Sequence, residues 1–260
     1  MRILADLHNH SCLSPCASLE QSPSALVRAA RARGIGLLAL TDHNSALNCP
    51  AFDEACRREG LAPLFGIEAN SVEEVHVVCL FGTVGDALSF GESLRPRMRG
   101  LQLDRDRFGD QVVVDADEIV LDEPDYFLGA SLLEGFDGIC ALAASRGAIV
   151  VPAHVDRGMF SVSSQLGFLP PGPYDAVESI KEPDPSLTGG LAAISGSDAH
   201  RPDEVGRRPF LVELPEAVVR SRVAAGAGAG ADEAGRALLE ALREALRAGA
   251  VQGSWARARV

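Results

Sequence analysis

The sequence predicts an α/β fold assembled from consecutive βα units. Two observations carry this expectation. Short apolar runs alternate along the chain with stretches whose apolar residues recur at helical spacing, the pattern of strands joined through helices. The chain has 260 residues, 47% hydrophobic and 23% charged, ample for a sizeable core and unlike a disordered or fibrous composition. No internal repeat breaks the rhythm, so residues 1–260 read as a single domain.

The strands expected in order are Ile3–Leu7, Ile35–Leu40, Leu61–Ile67, Val75–Phe81, Ala148–Pro152, Ala176–Ile180, Ala192–Ser195 and Pro209–Leu214. The first helix is bounded by its own chemistry. Ser22 can cap it, Pro23 suits the first helical position and Gly34 can end it. Leu26, Ala29, Ala30 and Arg33 share a face of it. Pro50–Glu59 and Leu132–Arg146 read as further helices. A last helix runs from about Asp232 to Arg247, with Leu238, Leu239, Leu242, Ala245 and Leu246 at helical spacing. Two segments depart from the pattern. Residues 96–130 are charged and irregular, with β-like pieces at Gln111–Val114 and Glu118–Leu121, and read as an insertion. Residues 224–235 (AAGAGAGADEAG) are low-complexity and read as a flexible connection to the last helix.

Charge and cysteines narrow the function classes. The net charge of −12 comes from 24 basic and 36 acidic residues. Such a chain has no long-range attraction for polyanions, so no long nucleic acid and no membrane surface are expected as partners. No apolar run approaches the roughly 20 residues of a membrane span. MRILADLHNH lacks the features of a signal peptide, so a cytoplasmic location is expected. The six cysteines are then reduced thiols, and no CxxC pair suggests a zinc ribbon.

The histidines carry the chemistry. All six (His8, His10, His43, His76, His154 and His200) fall at or just after an expected strand. Most have a close acidic neighbour: Asp6-Leu-His8-Asn-His10, Asp42-His43, Asp198-Ala-His200. A single such histidine would be an ordinary hydrogen-bonded residue; the set has the character of a metal site. In an extended strand, residues two apart face the same way, so His8 with His10, and Asp198 with His200, can each grip an ion together. In α/β barrels the C-terminal strand ends converge, which brings ligands distant in sequence into one pocket. Six imidazoles with Glu68 and Asp198 exceed the roughly four ligands of one zinc and suit two or three ions. Glu68 is best placed to bridge them. Imidazole with carboxylate suits zinc, iron or manganese over magnesium.

The ordered segments DLHNHS (6–11), TDHN (41–44), GIEAN (66–70), EVHVVCLF (74–81), PAHVDR (152–157) and GSDAH (196–200) resemble the polymerase and histidinol phosphatase (PHP) superfamily. The resemblance implies a distorted (β/α)7 TIM-like barrel, a metal cluster at the strand ends, and hydrolysis of phosphoric esters. It implies one metal on His8, His10, Glu68 and Asp198, a second on Glu68, His76 and His154, and a third on His43, His200 and one loop residue. That loop position holds Cys16 here, where relatives carry histidine or aspartate. A cysteine binds as thiolate. Cys12, Cys49, Cys56, Cys79 and Cys140 are expected to be small buried hydrophobes.

Two or three divalent ions would act on a small phosphorylated substrate or nucleotide, with attack by a metal-bridging hydroxide and no protein nucleophile. Arg157 and Arg201 are the candidates for phosphate contact, and Arg157 is preferred. Asp6 and Asp42 are expected to orient ligands, with Asp42 counted beside Arg157 in the catalytic machinery. An amidohydrolase would place a lysine differently from Lys181. An exonuclease acting on short oligonucleotides and a non-catalytic metal module are the competing readings. The insertion and the loop at 159–172 would select the substrate.

Overall fold

The computed structural model describes residues 1–259. The strands are β1 (Arg2–Asp6), β2 (Leu37–Leu40), β3 (Ala62–Asn70), β4 (His76–Phe81), β5 (Val113–Val114), β6 (Val120–Asp122), β7 (Ile149–Pro152), β8 (Val177–Glu178), β9 (Ala193–Ile194), β10 (Phe210–Glu213) and β11 (Val251–Gln252). The helices are α1 (Pro23–Ala32), α2 (Cys49–Glu59), α3 (Val84–Leu94), α4 (Arg105–Phe108), α5 (Phe136–Ser145), α6 (Val162–Gln165), α7 (Pro185–Thr188), α8 (Glu216–Ala224) and α9 (Ala229–Arg247). Ser22 caps α1 as expected, its side chain accepting from the Ala25 amide, and Gly34 follows with φ +71°.

Seven strands form one curled sheet in the order β11-β10-β1-β2-β3-β4-β7. β1, β2 and β3 run parallel. β4 is antiparallel to both β3 and β7, so the βα repeat is not uniform around the sheet. β8 and β9 make a separate parallel pair. Hydrogen bonds beyond the strands link this pair to both sides: Val155 N donates to Glu178 O (2.8 Å), Asp198 N to His8 O (2.8 Å) and His10 N to Ala199 O (3.0 Å). The chain ends that follow β1 and β9 thus lie side by side.

The period-two alternation of the strands separates two cores. On β2, Leu38 and Leu40 face the cluster formed with Leu26, Phe52, Phe90 and Phe136 from α1, α2, α3 and α5. Leu37 and Ala39 face the other cluster, which holds Leu64, Val78, Leu80 and the α9 residues Leu238 and Leu242. The site follows from this parity. Glu68 continues the row of Leu64 on β3, and His76 continues the row of Val78 and Leu80 on β4. Both therefore point from the second face at the end of the sheet.

One sequence expectation is revised here. Residues 229–235, expected within a flexible connection, form the first turns of α9. Ala231, Ala234 and Gly235 are buried, so the small residues serve close packing there. The segment 96–130 is built around α4 and the β5–β6 pair; β5 falls within the expected run Gln111–Val114 and β6 overlaps Glu118–Leu121, ending one residue later. Leucine- and phenylalanine-bearing α3 escaped the sequence reading. No helix of the described residues is long and apolar enough to cross a membrane.

Candidate metal centre

Glu68, 1% exposed, is the hub of the site. Its Oε1 lies 3.1 Å from His8 Nε2, 2.8 Å from His76 Nδ1 and 3.2 Å from His154 Nε2. Its Oε2 lies 3.3 Å from His10 Nε2 and 3.2 Å from His43 Nδ1. Asp198 Oδ1 faces the same centre, 3.2 Å from His10 Nε2 and 3.6 Å from His8 Nε2. A bridge between His43 and Glu68, and another between Asn9 and Ala199, hold the strand ends in register.

Three groups of donor atoms each gather within 4.8 Å: His8, His10, Glu68 and Asp198; His43, Glu68 and His76; and His10, Cys16, His43 and His200. These groups contain eight of the nine sequence-predicted ligands. His43 and His10 sit between groups, and His154 reaches Glu68 beside His76. His8 Nε2, His10 Nε2, His43 Nδ1 and His154 Nδ1 are buried without a hydrogen-bond partner. Buried nitrogens rarely go unpaired. A cluster of orphaned imidazoles around two carboxylates fits divalent metal ions.

Electrostatics agree with that fit. Burial disfavours charge on Glu68 and Asp198, yet the surrounding imidazoles hold both carboxyls well below their ordinary range. Burial likewise disfavours charge on His10, but Asp198 and Glu68 raise it to about 9. Glu178, Glu68 and Asp198 likewise hold His8 well above the ordinary histidine range against its burial. Burial and the charge of His10 lower His200 to about 4, and burial lowers His43 and His76. Cys16 reaches the surface, but desolvation and the Glu68 and Asp198 carboxylates push its thiol up. A cation among these groups would reverse that push. The other five cysteines are buried.

A supporting set of hydrogen bonds orients the ligands. His8 Nδ1 donates to Glu178 Oε2 at 2.8 Å, which turns Nε2 inward. His10 Nδ1 donates to Ser14 Oγ (3.0 Å), and Ser14 Oγ donates to Asp42 Oδ1 (2.6 Å). Asp42 also accepts from the Ser11 amide (2.7 Å) and hydroxyl (2.6 Å). It is buried and turned from the centre, so it tethers the loop of His10 and touches no reacting group. Asp6 accepts from the Ser197 and Gly206 amides (3.0 and 2.9 Å) and so holds the Asp198 loop. Arg207 donates to Ser197 O and Asp198 O, and Arg208 to Gly196 O and Ser197 O. Asn44, His154 and Asp198 have φ of +51°, +30° and +47°, a conformation non-glycine residues hold only where the surroundings enforce it.

Of the two arginines, Arg157 lines the cavity over the centre, its Nη1 3.0 Å from Asp198 Oδ2. Arg201 turns to the surface and pairs with Asp203 at 3.2 and 3.3 Å. The cavity encloses about 360 Å³, and its far wall comes from Arg107, Phe108, Phe127 and Phe160. Sequence reasoning missed Glu178, Ser14 and this wall. Glu178 did carry a signal, as the one charge in the apolar run Ala176–Ile180.

Residues 6–157 match the PHP domain family. That is more than half of the chain, and the chain belongs to this family of metal-dependent hydrolases. Its fold is shared with the lesion-specific endonuclease Q of Pyrococcus furiosus, at 16% identity and a TM-score of 0.63, over 97% of this chain and 58% of that one. It is shared likewise with endonuclease Q bound to a 27-mer duplex with an abasic lesion at the active site, at 16% identity and 0.60, over 88% and 58%. A candidate metal-dependent phosphoesterase of Bifidobacterium adolescentis is similar at 18% identity and 0.51, over 75% and 87%. This chain thus spans somewhat more than half the length of the endonuclease Q chains. No curated protein matches it.

These likenesses correct one expectation. The net charge of −12 does not exclude long nucleic acid, because endonuclease Q, with which this chain shares its fold, is solved in complex with a 27-mer duplex. Bulk charge governs long-range attraction, whereas docking depends on the local groups around the cavity.

Proposed function

We propose that the chain is a phosphoesterase that hydrolyses a small phosphomonoester or a nucleotide. The observation that carries the reading is the gathering of His8, His10, His43, His76, His200, Glu68, Asp198 and Cys16 in three overlapping donor groups, with His154 against Glu68 and four imidazole nitrogens left unpaired. His8, His10, Glu68 and Asp198 would hold one ion. Glu68, His76 and His154, with His43 alongside, would hold a second. His43, His200, Cys16 and His10 would hold a third. Zinc, manganese and iron suit this donor set. Divalent ions bound there would activate water and neutralise the charge of a phosphoryl group in flight.

The chain's own residues supply orientation. Glu178 and Ser14 fix the tautomers of His8 and His10, so that each offers Nε2 to the centre. Arg157 presents a guanidinium at the cavity wall beside Asp198, placed to fork onto phosphate oxygens. The family resemblance of the curled sheet, flanked by the β8–β9 pair, supports the distorted (β/α)7 barrel as its architecture.

The test is phosphate release from manganese-loaded protein. The panel holds histidinol phosphate, nucleoside monophosphates, nucleoside 3′,5′-bisphosphates and a short oligonucleotide, with EDTA as control. Release sensitive to chelator, and lost in His10→Ala and Glu68→Ala, supports the reading. Silence across the panel with metals bound, or full activity in either variant, would overturn it.

A further inference from the structure

Directly over the metal centre, the segment expected as an insertion contributes a wall of unusual construction. Phe108 and Phe127 stack with centroids 4.2 Å apart at 27°. The Arg107 guanidinium lies 4.8 Å from the Phe108 ring. Both rings and Arg107 line the same cavity as His43, His76 and Arg157. Phe160, which also lines the cavity, stacks on His76 at 4.9 Å.

Much of residues 101–125 is exposed, but the backbone around Phe127 is held from both sides. The buried amide of Gln111 donates to Tyr126 O and accepts from the Leu128 amide, both at 2.8 Å. The buried amide of Asn44, next to His43, donates to Leu128 O (2.8 Å) and Ala130 O (2.9 Å). A Cβ at Gly129 would come within 2.8 Å of the Phe127 ring, so the neighbouring glycine is needed for the ring to sit as it does. Two fully buried amides fixing one half-exposed phenylalanine above a metal centre are the marks of a built surface, since an ordinary loop aromatic needs no such fastening. Asn70 lines the same cavity, and its Oδ1 is buried with no hydrogen-bond partner.

We infer that Arg107, Phe108 and Phe127 form a stacking subsite for a nucleobase, so that the phosphoester at the metal centre is that of a nucleotide. A base offers a flat π-face to the phenylalanines and to a guanidinium. Its edge offers N–H groups that the unpaired Asn70 oxygen can accept, which a sugar phosphate or a plain alkyl phosphate does not. The inference rests on the phosphoesterase reading for the position of the phosphate, but the ring contacts themselves are independent of turnover.

The probes are adenosine 5′-monophosphate and ribose 5-phosphate, the same phosphoester with and without the ring, and a short oligonucleotide. Binding is read by calorimetry and hydrolysis is read separately. The wild type should bind adenosine monophosphate more tightly than ribose 5-phosphate. Removing a stacking aromatic weakens a base contact roughly 5- to 100-fold. Phe127→Leu, which keeps apolar bulk without a π-face, should weaken the nucleotide by that factor and leave ribose 5-phosphate within about twofold. Phe127→Tyr should restore wild-type binding. Tighter binding of the oligonucleotide than of the mononucleotide would place the base in a strand.

Equal affinity of the wild type for the two monophosphates would overturn the subsite, as would a Phe127→Leu protein with wild-type nucleotide affinity. Tight nucleotide binding without hydrolysis in the metal-loaded protein would instead refute the phosphoesterase reading and leave the subsite standing. Equal hydrolysis of both monophosphates, with equal binding, would do the reverse.

Discussion

Glu178 touches the metal centre only through His8, which makes it a sharp test of how the ligands are oriented. Glu178 and His8 are 2% and 1% exposed, and Glu178 Oε2 is 2.8 Å from His8 Nδ1. In Glu178→Gln the amide oxygen still accepts this hydrogen bond, so the tautomer survives but the charge is lost. Charge-assisted hydrogen bonds are about twice as strong as neutral ones. The expected loss is about 1 kcal/mol, or roughly fivefold in metal affinity. In Glu178→Ala the buried Nδ1–H has no partner. That stranded donor costs about 1–3 kcal/mol, and outer partners of metal-bound histidines commonly account for roughly 10- to 100-fold in affinity. The series wild type, Gln, Ala should therefore fall in that order. A third variant reaches the same contact from outside: a Cβ at Gly196 would lie 2.7 Å from Glu178 Oε2 and 2.9 Å from His8 Cβ, so Gly196→Ala should resemble Glu178→Ala. The assay is competition with a chelator of known affinity, with thermal melting of the metal-free protein as the folding control. If all three variants bound metal within twofold of wild type while remaining folded, Glu178 would have no part in setting His8, and the orientation argument would fail.

Four further outcomes are expected. His8 and His10 are held above the ordinary histidine range in the metal-free chain, His10 at about 9, so at pH 7–8 an incoming ion must displace protons; affinity should fall as pH drops, and calorimetry in buffers of different ionisation enthalpy should show proton release, with none released refuting the shift. Cys16→Ser should lower the bound-metal count by about one while sparing the other ions, because hydroxyl is a far weaker soft-metal ligand than thiolate; an unchanged count by elemental analysis would reject Cys16 as a ligand. Asp42→Ala strands the Ser11 amide and two serine hydroxyls in a buried loop, and should destabilise the protein by about 2 kcal/mol or more in urea titration; a change under about 0.5 kcal/mol would contradict the tethering role. Arg157→Ala should reduce kcat/KM by roughly 10-fold or more while Arg201→Ala, at an exposed arginine paired with Asp203, stays near wild type; the opposite ranking would exchange the two assignments.

Local chemistry carried much of this protein in its sequence. The Ser22-Pro23 start and Gly34 end of α1, the apolar runs of β1 to β4 and the heptad-like leucines of α9 are statements about neighbouring residues, and each element appears where its residues call for it. The candidate metal ligands were legible for a related reason: His8 with His10, and Asp198 with His200, are closely spaced in segments that follow expected strands, although His8 and His10 stand just beyond β1 and not on it. Other features needed the third dimension, because they depend on residues that meet only after the chain has curled. Glu178 lies 170 residues from His8 in the chain and meets it only because the β8–β9 pair folds in beside the segment that follows β1. Asp42 has the look of a catalytic carboxylate, yet three hydrogen bonds turn it onto Ser11 and Ser14. The run at 229–235 reads as a linker by composition, but its alanines and Gly235 are the close-packing face of a helix. Whether a charge such as Arg157 meets the cavity, or one such as Arg201 meets water, is settled by the direction of a loop. The sequence by itself determined which candidate ligands this chain owns and that most of them follow strands; only the tertiary structure decided which of them meet, what holds them, and that Phe108 and Phe127 stand above them, because packing, unlike propensity, is a property of the whole chain.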